Sequence, residues 1–160
     1  MIDTSIAHRY AKALFIVAQK RGEIAPALED LRGVNTLLGT GTHIGGFLAD
    51  PQVPIADKRG LLRRGLEGKA LPVVLLFIDL LLRKKRLAAL SAVLREYEAL
   101  VEHAQGVQRA LVVSARALEA GESTRLHAAL EKYTRSRIKL TSEIDPELLG
   151  GARVKIGDHV

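Results

Sequence analysis

From Ile6 to Val101 the apolar positions recur every three or four residues, and beyond Gly106 the spacing shortens to two. That is a change from helical to strand period. Asp3, Thr4 or Ser5 is placed to cap a first helix running to Arg21, with Gly22 ending it. On a wheel of about 100° per residue its apolar set spans an arc of roughly 200°, about twice what one-sided packing needs. One part of the arc is bulky (Ile6, Tyr10, Leu14, Val17), and another carries Ala7, Ala11 and Ala18, where a neighbouring backbone can approach closely. The helix is therefore expected to be covered on two sides, either by helices of its own domain or, on one side, by a helix from outside.

Ile24, Leu28, Leu31, Val34 and Leu38 mark a second helix, ending at Gly39-Thr40-Gly41-Thr42. A short third helix around Ile44 to Ala49 stops at Asp50-Pro51. Pro54 opens a fourth, carrying Leu61, Leu62 and Leu66 as far as Gly68, and Pro72 suits the first turn of a fifth that runs through Leu82. Leu87, Leu90, Leu94, Tyr97 and Val101 share one stripe of a sixth, ending near Gly106. Short loops between six amphipathic helices predict a bundle over residues 1–105. In residues 106–160, Val107–Val113 reads as a strand, and Leu118, Leu126, Leu130 and Tyr133 mark a helix. Arg137–Ile144 alternates with Ile138, Leu140 and Ile144 inward, and a last strand places Ala152, Val154 and Ile156 opposite Arg153 and Lys155. The expected fold class is mainly α: a six-helix bundle followed by a small α/β unit of order β-α-β-β. A unit that small is marginal alone and is expected to lean on a partner or on further C-terminal residues.

Composition narrows the chemistry. Leucine and alanine dominate, aromatics are 4%, and Trp and Cys are absent. A chain without cysteine has no disulfide, thiolate metal site, iron–sulfur cluster or thiol catalysis. The net charge of +6 and pI near 9.8 permit nucleic acid, anionic membrane or acidic protein partners, but the charge is spread with no basic tail. The longest apolar run, Leu71 to Leu82, contains Pro72 and Asp79 and is too short to cross a bilayer. The start has neither signal-peptide nor transit-peptide character. The glycine-rich stretch from Gly39 to Gly45 follows a helix and lacks the Gly-Lys-Ser/Thr ending of a phosphate loop, so it reads as a helix–helix connection. The five histidines form no His-x-x-x-His pair, and no serine sits in a nucleophile elbow. Asp79, alone in its apolar run, calls for a partner such as a lysine or a helix N-terminus. No catalytic, cofactor or metal site is expected. Arg83-Lys84-Lys85-Arg86 is the best nucleic-acid signal and motivates an alternative reading as a basic helical RNA- or DNA-binding protein. Without interleaved aromatics or a nucleic-acid motif, the run reads first as a solvated helix end.

Two segments carry a family resemblance. Arg9-Tyr10-Ala11-Lys12-Ala13-Leu14-Phe15 and the stretch from Ile138 through Glu143-Ile144-Asp145-Pro146-Glu147-Leu148-Leu149-Gly150-Gly151 to Gly157 resemble the two most recognisable parts of the ATP synthase delta subunit family, which includes the mitochondrial oligomycin-sensitivity-conferring protein. Phe47-Leu48-Ala49-Asp50-Pro51 with Lys58, and Leu80 to Leu87, fall where that family has similar residues, so the resemblance spans the chain. It implies a non-catalytic stator subunit, one copy per hetero-oligomeric complex, joining the catalytic head to the peripheral stalk so that proton flow drives ATP synthesis. By the same resemblance the bundle receives the N-terminal helix of an alpha subunit between its first and fifth helices, and the C-terminal unit grips the b subunits. On this chain that groove would draw on Tyr10, Ala13, Leu14 and Val17 and on Val74, Phe77, Ile78 and Leu81. No nucleic acid and no membrane insertion are implied. The expected place is peripheral, on the cytoplasmic face of a bacterial plasma membrane. The family normally continues past Gly157-Asp158 with the rest of a strand and a last helix, so the stalk-binding end is expected to be incomplete here.

Overall fold

The computed structural model describes residues 4–39 and 41–157. It is mainly helical, with a small mixed sheet near the C-terminus, and it divides into two compact units, Met1–Val101 and Glu102–Val160. In the first, α1 (Thr4–Arg21), α2 (Ile24–Leu38), α3 (His43–Ala49), α4 (Ile55–Leu66) and α5 (Pro72–Arg83) precede a 3₁₀ turn (Leu87–Ala89) and α6 (Leu90–Ala104), whose last turn belongs to the second unit. Thr4 and Ser5 lie within α1, and Asp3 and Thr40 are outside the described residues. Gly22 ends α1 with φ of 70°, a left-handed conformation that favours glycine. The sixth helix starts three residues later than the Leu87 stripe suggests. Lys85 turns the chain at φ of 56°, and Leu87 and Ala89 are spent in the 3₁₀ turn before regular helix begins.

The core of this unit is continuous. Leu31, Val74, Ile78, Leu81, Val93 and Tyr97 are all 0% exposed. Each side chain taken out of water stabilises the fold by roughly 1.5–3 kcal/mol before entropy is counted. Tyr97 meets Phe15 edge to face at 5.9 Å, and its hydroxyl donates to the Ile24 carbonyl at 3.1 Å. Burial pushes that hydroxyl's pKa up to about 12, so it remains a neutral donor. Asp30 of α2 accepts from the Leu71 amide at 2.7 Å, satisfying a backbone donor at the N-terminus of α5.

The second unit contains β1 (Val107–Ser114), α7 (Ala120–Thr134), β2 (Arg137–Ile144) and β3 (Ala152–Ile156). The strand order is β2-β1-β3, with β1 parallel to β2 across α7 and antiparallel to β3. Ala110, Val112, Ser114 and Ile138 are buried on one face. His127 of α7 lies 2.7 Å from the Ile138 carbonyl and Glu131 accepts from the Ile138 amide, which places α7 over that face. Two sequence expectations fail here. Ile144 is 58% exposed and Tyr133 is 83% exposed. Burial declines along β2 from Ile138 to Ile144, because a Glu119–Glu122 capping box starts α7 only after Leu118 and α7 buries no residue fully.

Candidate functional site

The wide apolar arc of α1 divides into two stripes. Ala7, Ala11 and Ala18 are 0% exposed and Leu14 is 3% exposed, so the alanine stripe and one bulky residue are built into the core. About 90° round the helix, Ile6 and Tyr10 are half-buried, and Ala13 and Val17 are exposed. Their spacing of four, three and four makes a continuous line on one face.

Helix α5 packs beside α1, and the Tyr10 and Phe77 rings meet edge to face at 6.3 Å and 71°. Val74, Ile78 and Leu81 are 0% exposed and Phe77 is 7% exposed, so these four face inward. The accessible apolar side of α5 is carried by Leu76, 67% exposed, and half-buried Leu80. On a wheel of about 100° per residue, Leu76 and Leu80 fall next to Val73 and then Phe77, on the side where Phe77 meets Tyr10. Of the residues expected to line a groove, Tyr10, Ala13 and Val17 reach the surface; Leu14, Val74, Ile78 and Leu81 belong to the core, and Phe77 shows only its rim. The surface strip therefore runs Ile6, Tyr10, Ala13, Val17 on α1 beside Leu76 and Leu80 on α5. Helix α5 is apolar nearly all round, so its wheel has no polar face to orient it. Its one acidic residue, Asp79, lies on the wheel nearer to Leu75 than to Leu76 or Leu80, so it does not mark the open side.

The remaining candidate groups have structural partners. Asp79 is held by arginines, not by a lysine or a helix N-terminus: Arg59 of α4 approaches at 2.6 Å and 3.2 Å, and Arg83 one turn on at 3.1 Å. The hydrogen bonds that Arg59 donates to Asp79 raise the guanidinium's pKa further above its ordinary value. Arg83 is thus paired, and Lys85 is part of the turn that leaves α5. In the glycine-rich stretch Thr42 caps α3, its hydroxyl oxygen accepting from the Gly45 amide at 2.9 Å. A Cβ on Gly45 would sit 2.6 Å from the Gly39 carbonyl oxygen, so close backbone approach accounts for that glycine. His8 pairs with Glu96 at 2.9 Å. Among the described residues no three His, Asp or Glu groups are placed to hold a metal, and no helix is long and apolar enough to cross a membrane.

In the second unit, Glu102 gathers Arg109 of β1 and Lys139 of β2, the latter at 3.0 Å. Partial burial raises the Glu102 pKa, but the hydrogen bonds from Arg109 and Lys139 outweigh it and hold the carboxyl below its ordinary range.

The family described as ATP synthase delta (OSCP) subunit matches residues 6–160. ATP synthase subunit delta of Symbiobacterium thermophilum is 34% identical over 158 residues, covering 99% of this chain and 85% of that protein. The subunit of the same name from Lysinibacillus sphaericus is 35% identical over 161 residues, covering 100% of this chain and 90% of its own length. A chain in the cryo-EM structure of the Toxoplasma gondii mitochondrial ATP synthase hexamer has the same fold, with a TM-score of 0.66 at 21% identity over 92% of this chain and 83% of that one. The match runs over nearly every residue, and the chain belongs to the ATP synthase delta (OSCP) subunit family.

Proposed function

We propose that the strip on α1 and α5 receives the N-terminal helix of an ATP synthase alpha subunit, and that the second unit holds the b subunits of the peripheral stalk. The protein is a non-catalytic stator subunit of ATP synthase, as its family is. Within that role the helical unit is read as the family's six-helix bundle and the second unit as its β-α-β-β partner. The assembly would lie on the cytoplasmic face of a bacterial plasma membrane. The observation that carries the alpha-subunit contact is the line Ile6, Tyr10, Ala13 and Val17, apolar yet left partly open to solvent beside Leu76. An amphipathic helix anchors in such a strip through residues three, four and seven apart. Two linked contacts on one chain also resist detachment better than either alone, because release of one leaves the other holding its partner nearby.

Calorimetric titration of an alpha-subunit N-terminal peptide into the full chain tests this. Binding should be seen, and Val17→Asp should weaken it at least about tenfold, the equivalent of losing one buried apolar anchor. A folded chain that takes up no peptide, or a Val17→Asp variant that binds as well as the parent, would overturn the assignment.

A further inference from the structure

The glycines around the α2–α3 connection leave a hollow that the helical unit does not fill. Gly45 lets α3 lie against the end of α2, since a Cβ there would strike the Gly39 carbonyl oxygen at 2.6 Å. At Gly41 and Gly46 a Cβ would meet nothing within 4 Å, so the space beside them stays empty. The result is a cavity of about 770 Å³. Its apolar wall comes from Leu38 of α2, Leu48 of α3, Val53 and Ile55 at the entry to α4, Leu82 of α5 and Leu87 of the 3₁₀ turn. Leu48 and Leu82 are 3% and 5% exposed, whereas Ile55 is 47% exposed, so the wall runs from the core out to solvent. The charged residues in the lining are two lysines, Lys58 and Lys85, with no Asp or Glu beside them. Lys58 Nζ donates to the Asp50 carbonyl at 2.6 Å, and the Asp50 carboxylate accepts instead from the Gln52 amide at 2.8 Å. Neither lysine makes an ion pair among the described residues.

We propose that this cavity binds a medium-chain aliphatic carboxylate, with its chain along the leucine wall and its head group against Lys58 and Lys85. Small-molecule sites are mostly apolar concavities of roughly 300–1,000 Å³ with a few polar groups that fix orientation, and this cavity falls in that range. The charge selects among ligands that fit. A wholly apolar ligand would leave two ammonium groups at its edge without a counter-charge, and a compact polyanion would leave the apolar wall wet. A chain with one anionic end answers both. Lys58 has two further N–H donors after the one it gives to Asp50, and both lysine stems are long enough to bring their ammonium groups to a single carboxylate.

The test is titration of octanoate, decanoate and dodecanoate into the full chain, each below its micelle-forming concentration, followed by calorimetry and amide NMR. Shifts should centre on Gly46, Val53 and Lys85, and affinity should rise about tenfold for each pair of added methylenes. The uncharged 1-decanol should bind about tenfold more weakly than decanoate, having no charge to offer the lysines. In the double variant Lys58→Gln/Lys85→Asn, whose asparagine tolerates the left-handed backbone at φ of 56°, decanoate should fall to the affinity of decanol. Urea unfolding checks that this variant is folded. Absence of decanoate binding to the folded parent, shifts scattered over both units, or a folded variant that binds decanoate as the parent does would each overturn the site. If the variant does not fold, the parent alone decides: decanol binding as tightly as decanoate overturns the proposal. The alpha-subunit peptide takes no part in these measurements, so their failure leaves the stator role standing.

Discussion

In the helical unit Leu31, Val74, Ile78, Leu81, Val93 and Tyr97 lose essentially all contact with solvent, whereas in the second unit only Ala110, Val112, Ser114 and Ile138 are buried among the described residues, and α7 contributes none. The first is held by non-directional apolar packing over a large area. The second depends more on directional contacts: the backbone ladders of β1, the carboxylate of Glu102 between Arg109 and Lys139, and the capping box of α7 with Arg116 on Glu122. Apolar packing of that extent leaves surface to spare, so α1 can keep one stripe for the core and another open. A unit with so small a core has no such reserve, and a bound partner would stabilise it by mass action.

The sharpest way to break the comparison is to open a cavity in the larger core. Ile78→Ala should destabilise the helical unit by about 2–5 kcal/mol, as buried isoleucine truncations do. A loss below about 1 kcal/mol in urea unfolding would return Ile78 to the surface and undo the assignment of faces on α5. Next comes Glu102→Gln, which takes the ion pairs from Arg109 and Lys139 and should cost the second unit about 1.5–3 kcal/mol. Amide exchange should accelerate in β1 and β2 and leave α2 and α5 unchanged.

The same carboxyl gives a pH prediction. Its folded-state pKa is depressed, so its stabilisation is present above the unfolded value and is lost as pH falls through the lower, folded one. Exchange protection in β1 should therefore fall on acidification, and Glu102→Gln should flatten that dependence. Gly45→Ala tests a local point in the helical unit. Its Cβ meets backbone oxygens that can yield little, so a loss of about 1–3 kcal/mol is expected in thermal unfolding. The smallest effect belongs to Leu76→Ala, within about 0.5 kcal/mol for stability, although the same change should weaken alpha-peptide binding. A large stability loss there would mean that the strip is part of the core.

Much of the fold was legible in the sequence because it is written locally. Gly22, Pro54 and Pro72 mark helix boundaries through backbone preferences that act within a residue or two: α1 ends, and α2, α4 and α5 begin, within about two residues of those signals. The alternation in Arg137–Ile144 reported a strand for the same reason. The face of α1 was legible in part: alanines and bulky residues separate on its wheel, but Leu14, grouped there with the bulky residues, is built into the core beside the alanines. The face of α5 was not: Val74, Ile78 and Leu81 look no different in sequence from Leu76 and Leu80, and neighbours from other helices decide which of them meet water.

The sequence by itself therefore determined the segmentation into helices and strands, the absence of thiol chemistry and the family, since each depends on residue identity and short-range spacing. Only the tertiary structure decided that Asp79 is held by Arg59, twenty residues away, that Glu102 binds two strands at once, and that one stripe of α1 remains open. Those outcomes depend on which elements come together, and periodicity along one chain is silent about what lies across from it.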